Sequence, residues 1–150
     1  MTARPSDLYQ ALLVDHSKRP RNFGPMPDAD RTAEGSNPLC GDELTVRLRM
    51  GGGRIEAIAF EGAGCAISMA SASLMTLAVK NLPPREVEAL TAKVAALVDG
   101  GDASDLGDLS ALAGVSRFPA RVKCALLAWR ALEAALTGIA RVSTEQNSDS

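Results

Sequence analysis

The 150-residue sequence contains few cysteines, few aromatic residues and a single histidine. Its three cysteines form no CxxC pair, which argues against the zinc ribbons and knuckles whose ligands come in such pairs. Aromatic residues make up only 3% of the chain, so the core has to be built from Leu, Val, Ile and Ala. The odd number of cysteines and the absence of an apolar N-terminal signal predict a cytoplasmic protein with free or metal-bound thiols.

The sequence also lacks a strong excess of either charge and any long apolar run. Sixteen basic and 18 acidic residues give a net charge of −2, which predicts no nucleic-acid partner. No apolar stretch approaches the roughly 20 residues of a membrane span, so we expect no membrane insertion. The length predicts one domain over residues 1–150, with a core at about 6–137 and a frayed polar tail at 141–150.

The clearest local pattern is a β-hairpin. Residues 43–50 alternate apolar and polar side chains, three glycines follow at 51–53, and residues 54–61 resemble a second strand. We predict that these two strands pair in an antiparallel manner. Residues 26–36 are small and polar and are typical of a loop, although 26–36 or 60–64 could supply a third strand.

Helices are predicted on both sides of this hairpin. The first runs from residue 6 or 7 to about residue 16, the second follows Cys65, the third opens at Pro83–Pro84, and the last opens at Pro119 and ends before Gly138. Between the last two, the segment 102–118 has room for one or two helical turns. The fold class is therefore α+β, with a small antiparallel sheet of about three strands, helices packed on one face and a metal site at the edge.

The three cysteines lie in settings that favour thiolate. Cys40 follows a proline turn, Cys65 lies in a glycine loop at a helix start, and Cys124 lies near another helix start beside cations. Asp42 follows Cys40 by two residues, so in an extended segment both side chains point to one side. Each feature alone also fits an ordinary residue, because isolated cysteines are often buried as small hydrophobic side chains.

Taken together, Cys40, Asp42, Cys65 and Cys124 form a possible set of four ligands. Three thiolates and one carboxylate suit tetrahedral zinc, or iron with sulfide. The spacing of the four residues does not bring them together, so the fold has to do so.

Six segments, taken in chain order, resemble the U-type iron–sulfur cluster assembly family, which includes IscU, the NifU N-terminal domain and SufU. The similarity runs from about residue 6 to residue 137. It is carried by residues 8–16, RPRNFG (19–24), NPLCGD (37–42), GAGCAIS (62–68), ASAS (70–73) and RVKC (121–124).

Within that family the sequence is most similar to the SufU branch. The IscU branch has a histidine ligand directly before its third cysteine, whereas this chain has Lys123 there and its only histidine, His16, in the first helix. The form of segment 62–68, Arg121 and the extra segment around 100–118 also resemble SufU.

The resemblance implies a function and a site. It implies one zinc ion held by Cys40, Asp42, Cys65 and Cys124. It further implies that Cys40 accepts sulfur from a cysteine desulfurase of the SufS type, and that Arg121 lies beside the ligands or contacts the partner. Cys40 and Arg121 are thus the candidate catalytic residues, and a downstream iron–sulfur scaffold would receive the sulfur.

Zinc would hold thiolates without oxidising them, but would also reduce their reactivity while they are bound. We therefore hypothesise that Cys40 is released from the metal before it attacks the persulfide of the desulfurase. The basic segment 18–21 would help this partner to dock.

Whether such a sulfur carrier acts as an enzyme, a zinc-dependent sulfurtransferase, stays open. Two alternatives remain: a scaffold for a [2Fe–2S] cluster on the same ligands, and an adaptor with a purely structural zinc.

Overall fold

The computed structural model describes residues 5–101 and 105–144, with side chains from Leu8 onwards. Four α-helices, a 3₁₀ helix and four strands occupy these residues. In chain order they are α1 (Pro5–Lys18), β1 (Arg31–Asn37), β2 (Asp42–Gly51), β3 (Arg54–Ala63), α2 (Ala66–Val79), α3 (Pro84–Val98), the 3₁₀ helix (Gly107–Arg117), α4 (Pro119–Thr137) and β4 (Arg141–Ser143). The predicted α+β class is confirmed.

The sheet has the strand order β3-β2-β1-β4. The predicted hairpin is β2 and β3, which pair in an antiparallel manner from Glu43 opposite Ala63 to Gly51 opposite Arg54, with a register shift between Arg49 and Met50. β1 adds to the other side of β2, also antiparallel. The sheet therefore has a fourth strand beyond the three that the sequence predicted.

β1 lies in a segment whose small polar residues favoured a loop. Its inward-facing residues are Ala33, Gly35 and Asn37, so the strand has none of the large apolar residues that mark a half-buried strand. The small residues are needed because a Cβ on Gly35 would lie only 3.1 Å from Leu127 Cδ1 of α4. The loop prediction for residues 26–36 was therefore wrong at 31–36, and the alternative that 26–36 supplies a third strand is confirmed. Large apolar residues are missing from this strand because α4 packs closely against it.

The last strand, β4, lies in the stretch that we expected to fray. Arg141, Val142 and Ser143 pair parallel to β1, opposite Glu34, Gly35 and Ser36. This pairing is made by backbone groups, which a polar sequence supplies as well as an apolar one. Residues 145–150 of the predicted tail lie outside the described residues.

The helices lie on one face of the sheet, as predicted. Leu44, Val46 and Leu48 of β2 point inward and are buried, and α4 packs against β1 and β2. α1 and the 3₁₀ helix form a further layer over α2. The opposite face is polar and carries cross-strand ion pairs, including Arg47 with Glu61 and Arg49 with Glu56.

The segment after α1 has two structural roles. Arg19 and Arg21 both pair with Asp15 of α1, at 2.9 and 2.6 Å. Phe23 then lies edge-to-face on Phe60, with 5.3 Å between ring centroids, and the adjacent backbone bonds to the outer edge of β3. Two of the cations in the basic segment 18–21 are thus engaged within the chain.

Among residues 5–101 and 105–144, no helix has the length and apolarity needed to cross a membrane.

Candidate metal centre

The loop between β1 and β2 presents Cys40 at the end of the sheet. Asn37 pairs with Asp42 across the loop, and the Asn37 carbonyl accepts the backbone N–H groups of Cys40 and Gly41 at 3.1 and 2.9 Å. Gly41 has a φ of +74°, a conformation that glycine adopts without a Cβ penalty. Cys40 and Asp42 therefore share a tight turn, and not the extended segment that the sequence suggested.

Asp42 is the buried carboxylate of the site, with only 1% of its surface exposed. Its Oδ1 accepts the backbone N–H of Cys65 at 3.0 Å, and its Oδ2 accepts the hydroxyl of Ser68 at 2.5 Å. Both donors belong to the start of α2, where the helix dipole also favours a negative charge. The carboxylate is therefore held on both oxygens.

Cys65 is the N-cap residue of α2, at the position that the sequence predicted. The loop before it approaches Asp42 closely, because a Cβ on Gly64 would lie 3.3 Å from Asp42 Oδ1. The Cys65 sulfur lies 3.6 Å from Ser68 Oγ. The backbone N–H of Cys65 thus binds Asp42, and its thiol lies beside the hydroxyl of Ser68.

Cys124 lies in the second turn of α4 and is fully buried. Its Sγ lies 3.3 Å from Cys40 Sγ, with Cys124 as the donor, and it accepts the side-chain N–H of Asn37 at 3.4 Å. Burial raises the pKa of the Cys124 thiol, and its hydrogen bond to Cys40 and the nearby charge of Cys65 raise it further. The proton therefore stays on the buried sulfur, and Cys40 receives its hydrogen bond.

These contacts bring three of the four predicted ligands into one group. One ligand atom each from Cys40, Asp42 and Cys124 lies within 4.8 Å of the other two. The sulfur of Cys65 lies outside that group, although its side chain interacts with Cys124. The structure brings Cys40, Asp42 and Cys124 together. The zinc set of these three residues with Cys65 remains a prediction.

Arg121 lies one turn before Cys124 on α4 and is exposed. A hydrogen bond with Cys124 raises the pKa of the Arg121 guanidinium, and the charges of Cys65 and Cys40 act in the same direction. The guanidinium therefore faces the thiols and is placed to balance their negative charge.

The donor atoms at this centre fit zinc. Two thiols and a carboxylate meet, a third thiol lies beside them, and thiolate and carboxylate are both established zinc ligands. A buried carboxylate and a buried thiol are costly when ionised and unpaired, and a dication would compensate both.

Two residues at the centre were not singled out from the sequence. Ser68 contacts Asp42, and the Asn37 amide contacts Cys124, while Asn37 Oδ1 has no hydrogen-bond partner among the described residues. The spacing of three between Cys65 and Ser68 places both on one helix face and could have indicated the serine. Asn37 could be found only from its pairing with Asp42.

The fold and the site together define a U-type domain, in which thiols and a carboxylate meet at one end of a small sheet covered by helices. The family model of the NifU-like N-terminal domain matches residues 8–141. The chain therefore belongs to this family, which confirms the resemblance found in the sequence.

Individual relatives cover most of the chain. The zinc-dependent sulfurtransferase SufU of Bacillus subtilis is 43% identical over 129 residues, which are 84% of this chain and 87% of that protein. The iron–sulfur cluster assembly scaffold protein IscU of Streptococcus pyogenes is 41% identical over 145 residues, 93% of this chain and 91% of that protein.

A solved structure shows the same fold. The crystal structure of the iron–sulfur cluster assembly scaffold protein for the SUF system from Fervidobacterium islandicum superposes with a TM-score of 0.80. It is 32% identical and covers 89% of this chain and 99% of that chain. The likeness to the SufU branch thus holds in sequence and in structure.

Proposed function

We propose that this protein acts in iron–sulfur cluster assembly as a zinc-dependent sulfur carrier. In this proposal Cys40 accepts persulfide sulfur from a SufS-type cysteine desulfurase and passes it to a downstream iron–sulfur scaffold, in the cytoplasm. The observation that carries the proposal is the contrast within the site: Cys40 is exposed, whereas Asp42 and Cys124 are buried. The identity to a relative named as a zinc-dependent sulfurtransferase supports the same assignment.

Cys40, Asp42 and Cys124 would hold the zinc, and Cys65 would complete the set from its place beside Ser68. The ion would supply charge compensation that keeps the thiols deprotonated, without any redox chemistry of its own. The buried residues fix the centre to β2 and α4. Cys40 lies on a turn at the surface, where a partner can reach it.

The transfer itself is an exchange at sulfur. The Cys40 thiolate attacks the terminal sulfur of the partner's cysteine persulfide and forms a new S–S bond. The bond to the partner's cysteine breaks, its electron pair leaves with that cysteine as a thiolate, and Cys40 now carries the persulfide. The transferred sulfur keeps its oxidation state, so the step needs no oxidant or reductant.

Residues around Cys40 support this step. Cys124 Sγ lies 3.3 Å from Cys40 Sγ, close enough for one ion to bind both sulfurs. Arg121 adds a positive charge beside the thiols. Leu39, next to Cys40, is 76% exposed and offers an apolar contact for a partner at the point of transfer.

A cluster scaffold is the second candidate function. The S. pyogenes relative at 41% identity is named as a scaffold, and the thiols of this site suit iron and sulfide as well. Metal analysis of the purified protein separates the two: about one zinc per chain supports the carrier, and iron with sulfide supports the scaffold.

The carrier is tested by incubating the protein with a SufS-type desulfurase and cysteine, followed by a persulfide-trapping reagent and mass mapping. We expect the label on Cys40 and its loss in Cys40→Ser. In the same wild-type digest, the peptides that carry Cys65 and Cys124 serve as the internal control and should remain unlabelled. A zinc-loaded protein that never acquires sulfur would overturn the proposal and leave an adaptor with structural zinc.

A further inference from the structure

Ser68 is a buried hydroxyl that contacts three of the four candidate ligand residues. It lies on the first turn of α2 and has no exposed surface. Its Oγ lies 2.5 Å from Asp42 Oδ2, 3.6 Å from Cys65 Sγ and 3.3 Å from the backbone carbonyl oxygen of Cys124. The hydroxyl is therefore the common neighbour of β2, α2 and α4 at the centre.

The hydroxyl carries one proton, and the contacts decide where it goes. The contact to the carboxylate is the shortest and is charge-assisted, so Ser68 donates to Asp42 Oδ2. The lone pairs of Oγ then remain for the Cys65 thiol. Because Cys65 N–H holds the other carboxylate oxygen at 3.0 Å, rotation of the carboxylate would break at least one of two hydrogen bonds.

We propose that Ser68 is a positioning residue for the metal centre: it fixes the orientation of the Asp42 carboxylate. The inference rests on the metal site of the proposed function, but not on sulfur transfer. Residues that hydrogen-bond to metal ligands set ligand orientation, and their loss typically weakens metal binding about 10- to 100-fold. The Asp42 carboxylate depends on this hydroxyl, whereas the described contacts of Cys40 do not include it.

α2 offers a matched control in Ser71, one turn further along. Ser71 is also fully buried, donates to the Ala125 carbonyl at 2.6 Å and accepts the Trp129 indole N–H at 3.1 Å. Both hydrogen bonds join Ser71 to α4, and neither involves the side chain of a candidate ligand. Ser71→Ala leaves the indole N–H unpaired, so it should destabilise the fold at least as much as Ser68→Ala.

The test compares the wild-type protein, Ser68→Ala and Ser71→Ala in titrations with cobalt(II), followed by zinc competition against a chromophoric chelator. We expect Ser68→Ala to bind cobalt and zinc at least about tenfold more weakly. Its cobalt d–d absorption bands should also shift, because the carboxylate takes another orientation. Ser71→Ala should keep the wild-type affinity and spectrum, even if it melts at a lower temperature.

A second comparison asks whether Ser68 acts through Asp42. Asp42→Ala should itself weaken zinc binding, and adding Ser68→Ala to it should cause a smaller further loss than Ser68→Ala causes in the wild-type chain. The inference is overturned if Ser68→Ala behaves like Ser71→Ala, if the two losses simply add, or if the wild-type protein binds neither metal. Sulfur labelling of Cys40 decides the proposed function separately, so failure of one can be told from failure of the other.

Discussion

His16 is a buried titratable residue away from the thiols. Its Nδ1 lies 2.6 Å from Ser73 Oγ, and the same hydroxyl oxygen accepts the backbone N–H of Arg21 at 2.8 Å. The serine proton is thus directed at Nδ1, an arrangement that suits a neutral imidazole. Burial lowers the pKa of His16, the charge of Arg21 lowers it further, and Asp15 and Asp108 act in the opposite direction.

The lowered pKa predicts a loss of stability in mild acid. In the unfolded chain the histidine takes a proton near its ordinary pKa of 6.5, whereas the folded chain resists protonation until a lower pH. The unfolded state therefore binds more protons in this window, and the free energy of unfolding falls as the pH falls below 6.5. Urea unfolding between about pH 7.5 and about pH 5.5, with a chelator present, measures this effect.

The control for this measurement is His16→Asn, whose side-chain carbonyl can replace Nδ1 as the acceptor for Ser73 but does not titrate. The stability of the wild-type chain relative to His16→Asn should decrease over the acidic part of the range. Parallel curves for the two proteins would show that His16 does not contribute to the pH dependence.

At the scale of residues, the sequence supported the thiols and the carboxylate but not their neighbours. The chain has only three cysteines, so each could be considered as a metal ligand, and the resemblance then implied the complete ligand set. A serine in a helix full of small residues is ordinary, and only its 2.5 Å contact with Asp42 sets Ser68 apart. Hydrogen-bond partners across strands and helices depend on tertiary packing that no local pattern encodes.

Among the elements, the contact between β1 and α4 controls where Cys124 lies relative to Asp42. At Gly35 a Cβ would lie 3.1 Å from Leu127 Cδ1 and 3.2 Å from Ala131 Cβ. Both distances are shorter than ordinary van der Waals contact, so the helix cannot lie this close to a larger residue.

Gly35→Ala is therefore expected to destabilise the protein by about 1–3 kcal/mol through overpacking. It should also weaken zinc binding, because α4 carries Cys124 away from β2 when it moves. Gly114→Ala is the matched control, since a Cβ there meets nothing within 4 Å. Thermal unfolding and zinc competition give both quantities. Equal stability of the two variants would mean that α4 absorbs the methyl group without moving.

The packing of each strand explains whether the sequence could predict it. β2 alternates large apolar and polar residues because one face lies on the core and the other faces solvent. β3 buries Ile55, Ile58 and Phe60 and follows a run of three glycines, which marks the hairpin. β1 packs against α4 through Ala33 and Gly35, so its pattern has too little hydrophobicity to be recognised. β4 has three residues and pairs with a strand about 100 positions earlier, a contact that depends on the complete fold.

On the scale of the whole molecule, the core is built apart from the thiol centre. The largest fully buried side chains include Trp129, Phe60 and Leu48, and the cluster around them extends from the sheet through α2 and α4 to α3. A core of this kind buries apolar surface whether or not a metal is bound. The fold should therefore not depend on zinc.

Removal of metal with a chelator is expected to leave a folded protein with a lower melting temperature. Ligand binding to the native state alone adds RT ln(1 + [L]/Kd), about 2.7 kcal/mol at one hundred times Kd. Circular dichroism and thermal unfolding, with and without added zinc, measure the difference. A random-coil spectrum after chelation would instead support an adaptor whose zinc is structural.

The three thiols converge at one end of the molecule, where the β1–β2 loop, the start of α2 and the second turn of α4 meet. If the proposed function holds, the sulfur donor and the sulfur recipient have to visit this same rim, and two large proteins cannot occupy it together. Binding of the two partners is then mutually exclusive and sequential. The sulfur-loaded chain dissociates from the donor before it binds the recipient. An excess of either partner should then slow sulfur transfer from donor to recipient, because it occupies the shared binding surface.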